Sequence, residues 1–308
     1  MKKIVKQIND FIRKENTTGL FFILLWVGFL VYANYGMGWY KSWVRQTDGL
    51  ISVAAHSAIY FIAYMICLLI TSLFNKNFNW LAKPWFWTIS ISAPLVFAFT
   101  SHYDFIDLLD VSSSNYNWLY YTSRVSFWFS QVAVVTLFCG VIWFFKDKGS
   151  TTFYGLSKYE DSLKPYFYML LIMLVPIMIA GTTEGFLETY PRIKSTMKEG
   201  YPMLSKFHYI SYEVIYGFNF IGIEIFFRGF LILSLLDILG KDAILPMACF
   251  YVAIHFGKPM GECISSFFGG SMLGIISYHN GSIKGGVLVH IGIAWMMEIS
   301  GTLGTWFW

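Results

Sequence analysis

The fold class this sequence predicts is all-α, a polytopic transmembrane helical bundle of about eight or nine spans, and three observations predict it. Only 13% of the 308 residues are charged, roughly half the share of an ordinary soluble domain. Aromatic residues reach 20% and the mean hydropathy is positive. The apolar residues also fall into long runs divided by short polar stretches. A span needs about twenty apolar residues, so a chain of this length is used up by spans and short loops and has no room for a large soluble domain. The net charge of +4 then reports topology in a bilayer, which is the expected lipid partner, and no nucleic-acid partner is expected. Cys67, Cys139, Cys249 and Cys263 are scattered within apolar runs without metal-type spacing and read as small core residues.

Residues 1–18 form a charged, roughly amphipathic start carrying Lys2, Lys3, Lys6, Arg13 and Lys14. No small-residue cleavage site closes a short apolar core, so an uncleaved cytoplasmic N-terminus followed by a membrane anchor is expected. The spans are expected near 19–34, 51–74, 84–100, 121–145, 165–181, 208–236, 243–256, 262–279 and 285–303. Lys76, Lys83, Lys146, Lys148, Lys158 and Lys164 fall on the side of the basic start, whereas the loop with Asp104, Asp107 and Asp110 holds no Lys or Arg and is expected on the far side. Arg192, Lys194, Lys198 and Lys206 run against that rule. Trp39, Trp43, Trp80, Trp85, Trp118 and the terminal Trp306 and Trp308 read as interfacial anchors. Pro94 and Pro176 are expected to kink their helices, and His279-Asn280-Gly281 to turn the chain between two others.

The organisation changes at the polar loop 146–164. Residues 19–164 read as an aromatic-rich helical region whose interiors hold only His56 and Arg124, the latter near an interface where it can snorkel. Residues 165–308 hold the groups able to carry chemistry. Glu224 and Arg228, in Gly222-Ile-Glu-Ile-Phe-Phe-Arg-Gly229, lie four apart and share one helix face. A charge at the centre of a membrane helix costs about 2.5 to 3.5 kcal/mol, so such groups come with a partner or a task. A structural ion pair is one reading, and Glu224 as a general base held by Arg228 is the other. Counted from the turn at 237–242, Glu224 and His255 are each about a dozen residues into their helices, roughly 18 to 20 Å deep at the α-helical rise. His290 is expected to lie shallower, only a few residues into its span. His102 and His208, read as lying in loops or at an interface, are assigned no chemistry.

With these residues in view, the last ninety or so positions resemble the CAAX protease and bacteriocin-processing (CPBP, or Abi) family of intramembrane proteases, whose motifs are EExxxR, FxxxH and HxxxN on separate helices. Glu224 and Arg228 match the second acid and the arginine of the first motif, and His255 and His290 the histidines of the other two. The departures are Ile223 at the first glutamate, Tyr251 at the phenylalanine and Ala294 at the asparagine. The resemblance implies a peptidase acting on a hydrophobic or lipidated peptide, in a bacterial plasma membrane. Glu224 would deprotonate water, His255 and His290 would orient it or stabilise the oxyanion, and Arg228 would hold Glu224. Glu213, Glu262 and Glu298 are candidate supporting acids in place of the missing glutamate. The motifs fix no cofactor, and Glu224, His255 and His290 also make a set able to bind Zn²⁺ with an open position for water. Two other classes stay open at this point. One is an inactive scaffold of the same fold serving bacteriocin resistance or partner regulation. The other is a transporter with a proton relay, against which the two halves show no repeat symmetry.

Overall fold

The computed structural model describes residues 1–102, 115–149, 152–156, 162–193, 202 and 204–305, and among them there is no β-strand. In chain order the helices are α1 (Lys2–Lys14), α2 (Thr17–Val31), α3 (Trp39–Ser42), α4 (Gly49–Asn75), α5 (Pro84–His102), α6 (Tyr116–Ile142), α7 (Lys164–Ala180), α8 (Glu184–Leu187), α9 (Lys206–Glu224), α10 (Leu236–Leu239), α11 (Ile244–Ala253), α12 (Met260–Asn280) and α13 (Lys284–Gly304). Wider π-helical turns extend α2 to Gly36, α6 to Asp147 and α9 from Ile225 to Leu233. Such turns are rare and mark places where the i→i−4 ladder is relaxed. The acidic loop residues Asp104, Asp107 and Asp110, together with Lys158, Lys194, Lys198, Trp306 and Trp308, lie outside the described residues.

A helix covers each of the nine expected apolar runs, but forming a helix is a weaker property than crossing a membrane. Four helical stretches, Thr17–Gly36, Gly49–Asn75, Tyr116–Asp147 and Lys284–Gly304, are long and apolar enough to cross, and Lys164–Ala180 is a shorter apolar helix. The run at 243–256 is corrected. Its helix α11 has 10 residues, all of them buried, and at 1.5 Å per residue it reaches only about half the hydrocarbon thickness. It is a core helix, apolar on every side because protein surrounds it.

The chain divides into two compact units. The first comprises Met1–Tyr103, Leu137–Glu160 and Ile225–Ile283. Here α11 is enclosed by α4 and α12, and α4 also packs on α2 and α5. Phe97, Phe226, Phe227 and Phe250 form its aromatic centre, with ring centroids 5.0 to 6.0 Å apart. Its helix ends are explained by the sequence. Asn16 Oδ1 accepts the Gly19 N–H at 3.0 Å to start α2. Gly281, at φ +63°, takes the left-handed position that closes α12, as the Asn-Gly pair led one to expect. Trp80 is no exposed anchor. It is 1% exposed and donates from Nε1 to Ser72 Oγ at 2.8 Å, whereas Trp43 is 71% exposed. His102 does not stand apart in a loop either, since its ring stacks on that of His56 at 3.3 Å.

The second unit comprises Asp104–Thr136, Asp161–Glu224 and Lys284–Trp308. Its α13 packs against α7 and α9. The approach to α7 depends on small residues, as in other membrane interfaces where van der Waals packing replaces a hydrophobic drive. A Cβ at Gly285 would fall within the Tyr166 ring, and one at Gly292 would lie 2.7 Å from Leu170. At the other side the Trp128 ring meets Tyr212 edge-to-face at 4.8 Å and Tyr216 at a tilt at 4.9 Å, with Ala294 in the same cluster.

The α7–α13 contact predicts that Gly285→Ala destabilises the protein by about 1 to 3 kcal/mol, the usual cost of overpacking, because the Tyr166 ring must move. Thermal unfolding in detergent measures this, and an unchanged midpoint would contradict the contact.

Candidate active site

In the second unit the last residue of α9, Glu224, is 0% exposed. Its Oε1 lies 2.9 Å from Nδ1 of His290, two turns into α13. The donor and acceptor roles follow the tautomer: in the arrangement where Glu224 accepts, Nδ1 carries the proton and Nε2 is the basic nitrogen of the neutral ring. The His290 side chain is 15% exposed against 0% for Glu224, so the imidazole is the accessible member of the pair. Phe220, one turn before Glu224, stacks on the His290 ring at 4.3 Å. Gly286, one turn before His290, leaves the space that the other oxygen of Glu224 occupies: a Cβ there would collide with Oε2. His290 is therefore not the shallow outlier that its nearness to the start of its span suggested. It meets Glu224 directly, because α13 begins beside that carboxylate.

Two of the supporting acids lie elsewhere in this unit. Glu213 is three turns before Glu224 on α9, about 16 Å along the axis. Glu298 accepts the Arg192 backbone N–H at 2.9 Å. Glu213 and Glu298 feel each other and Arg192 electrostatically, and Trp295 Nε1 donates to the Glu213 carbonyl at 3.0 Å. With Arg192 they form a polar cluster around the C-terminal part of α13 and the first half of α9. The two motif departures lie in apolar surroundings: Ile223 is 8% exposed, and Ala294 belongs to the cluster of Tyr212, Tyr216 and Trp128.

In the first unit Arg228 sits within the π-helical turns Ile225–Leu233, 1% exposed, with its guanidinium 4.5 Å from the centroid of the Tyr251 ring. A desolvated cation over an aromatic face gains about 2 kcal/mol. The sequence comparison had treated Tyr251 only as a phenylalanine of similar shape. It does more, because its carbonyl also accepts from His255 Nδ1 at 2.7 Å and its ring contacts the His255 imidazole at 4.7 Å. His255 itself is corrected: it is not on a helix but in the turn that follows α11, where its N–H bonds the Val252 carbonyl at 2.9 Å. Its Nε2 is 3.8 Å from Glu262 Oε1, which also holds Lys258 Nζ at 2.8 Å. Glu262 is thus the supporting acid that the fold brings to a motif histidine.

The residues that sequence reasoning missed are Phe220 and Gly286. Their only signal was helical spacing, four residues before Glu224 and four before His290. Among the described residues no group of three or more His, Cys, Asp or Glu side chains is arranged to hold a metal ion, so the zinc set of Glu224, His255 and His290 is not assembled within a unit.

Two substitutions test this geometry. Gly286→Ala is expected to turn the Glu224 carboxylate away from His290, visible in an experimental structure as a lost 2.9 Å contact. Tyr251→Phe keeps the ring under Arg228 and should leave stability within about 0.5 kcal/mol, whereas Tyr251→Leu should cost about 2 kcal/mol or more. Denaturant titration in mixed micelles separates the two.

Comparison with family models gives a match over residues 208–296, to the family described as Type II CAAX prenyl endopeptidase Rce1-like. Comparisons with curated proteins and with solved structures gave no match. The matched stretch is well under half of the chain and includes Glu224, Arg228, His255 and His290. Over that stretch this helical membrane protein is similar to the Rce1-like endopeptidases, in agreement with the CPBP resemblance of its motifs.

Proposed function

We propose that the protein is an intramembrane peptidase that cleaves a hydrophobic or lipidated peptide, with Glu224 and His290 activating the attacking water. The single observation that carries the reading is the buried 2.9 Å bond from His290 Nδ1 to Glu224 in a membrane protein with an Rce1-like segment. In this mechanism Nε2 of His290 takes a proton from water as the oxygen attacks the scissile carbonyl. Glu224 holds the tautomer that leaves Nε2 basic and stabilises the imidazolium that forms. The proton then passes to the departing amine, and the peptide bond has gained one water. The accessibility of the ring and the full burial of the carboxylate support giving the base role to His290 and the supporting role to Glu224. Ile223 is tolerated in this scheme because the proton acceptor is the imidazole, so a second glutamate is not needed.

The resemblance assigns His255 and Arg228 to the same reaction, His255 to the oxyanion or the water and Arg228 to positioning. A protonated His255 has two acceptors for its charge, the Glu262 carboxylate at 3.8 Å and the Tyr251 backbone carbonyl at 2.7 Å. The substrate class follows from the family description, which names a prenyl endopeptidase.

The test is hydrolysis of a fluorogenic prenylated peptide, and of its unprenylated twin, by purified protein in lipid vesicles. His290→Ala should lower kcat by about 10² to 10⁴-fold, the usual worth of general-base catalysis, and Glu224→Gln by a similar factor. His255→Ala should also lower it. Turnover that survives His290→Ala at the wild-type rate would overturn the mechanism. Absence of turnover in the folded wild type with either peptide would overturn the peptidase reading in favour of an inactive scaffold.

A further inference from the structure

The helix α1 carries three distinct stripes. Ile4 and Phe11 are buried at 4 and 5% exposure, and α1 packs on α12 of the same unit. Gln7 Nε2 donates to Asn280 Oδ1 at 2.9 Å on the same side. The end of α1 is pinned by Lys241, whose Nζ bonds the Lys14 carbonyl at 3.3 Å and meets the Glu15 carboxylate. At about 100° per residue, Val5, Ile8 and Ile12 make a second stripe within about 60° of arc, next to the buried one. Val5 is 47% and Ile12 52% exposed. The third stripe, nearly opposite the buried one, is Lys2, Lys6 and Arg13 within about 40° of arc, all exposed. Asp10 is the only acid within α1.

The place of this helix limits what can cover those stripes. Only Glu15 and Asn16 separate it from α2, which is long and apolar enough to cross a membrane and whose Phe21, Phe22, Leu25 and Phe29 are 44 to 57% exposed. The first turn of α2 therefore enters the apolar phase, and α1 lies at the level of the lipid headgroups. The same end of the unit holds Lys241, and Asn75 there donates to Asp242 at 2.9 Å. Lys76, directly after Asn75, is exposed, as is Lys83. An exposed apolar stripe beside a basic one fits an interface in which acyl chains meet one and anionic headgroups the other. A second copy of the chain would bring like charges together, and a soluble acidic protein would leave Val5 and Ile12 without an apolar phase.

We propose that α1 is an interfacial helix that recognises anionic phospholipid, seating Val5, Ile8 and Ile12 among the acyl chains and Lys2, Lys6 and Arg13 on the phosphates. This surface belongs to the first unit and does not depend on the peptidase reading. All four native cysteines are buried, so Val5→Cys in the full chain accepts a fluorophore selectively. The labelled protein is placed in nanodiscs of phosphatidylcholine, or of phosphatidylcholine with phosphatidylglycerol, each containing a nitroxide-bearing lipid as quencher. Quenching should be at least about twofold stronger in the anionic discs. It should fall to the neutral-lipid level as salt rises from about 0.1 M to about 1 M, where the screening length drops from roughly 10 Å to 3 Å. Lys2→Glu with Lys6→Glu and Arg13→Glu should abolish the preference. Should that variant fail to fold, the salt series on the unreversed chain decides. Equal quenching in the two lipids, a preference unmoved by salt, or quenching only by aqueous iodide would overturn the proposal, the last showing that the stripe faces water and suits a soluble partner.

Discussion

A carboxylate with no exposed surface must be given hydrogen-bond partners by its own fold, and for Glu224 one of them is Nδ1 of His290 at 2.9 Å. Much of the second unit can be understood from this need. α13 must begin close enough to α9 for an imidazole to reach the carboxylate, which requires glycine at 286 and a flat neighbour, Phe220, along the ring. It must also lie close to α7, which the glycines at 285 and 292 allow. A buried pair of this kind adds little stability over a well-packed apolar pair. Its presence fits the chemistry proposed for it.

The first unit holds a buried cation. Arg228 is placed on an aromatic face, and the tyrosine providing that face also fixes the tautomer of His255 through its carbonyl. With Nδ1 donating there, a neutral His255 has only a lone pair to offer at Nε2. Its approach to Glu262 at 3.8 Å becomes attractive when the ring is protonated. The surrounding rings of Phe97, Phe226, Phe227 and Phe250 keep this region apolar, which strengthens each electrostatic interaction within it.

Particular elements show where the reading from sequence succeeded and where it stopped. The helices α4, α12 and α13 begin and end within two residues of the expected runs, because a continuous apolar stretch closed by a polar or Gly-containing turn leaves few alternatives. α11 was read as a crossing because hydropathy does not separate a helix in lipid from one surrounded by protein. His255 was placed on that helix because nothing in Ala253-Ile-His255-Phe-Gly marks a stop before Gly257. Trp80 and His102 were read by type and position, as anchor and loop residue, and turned out to have partners distant in sequence.

The sequence by itself determined the all-helical membrane class, the helix positions and the four ionisable residues at Glu224, Arg228, His255 and His290, since composition and period are local properties. Only tertiary structure decided that Glu224 meets His290, that Glu262 lies beside His255, and that Tyr251 serves both Arg228 and His255. The reason is physical. Spacing along one helix gives the face a residue occupies, but the partner across a helix interface depends on the rotation and separation of both helices. Those are set by small residues such as Gly285, Gly286 and Gly292, whose effect is seen only where the neighbouring side chains are in place.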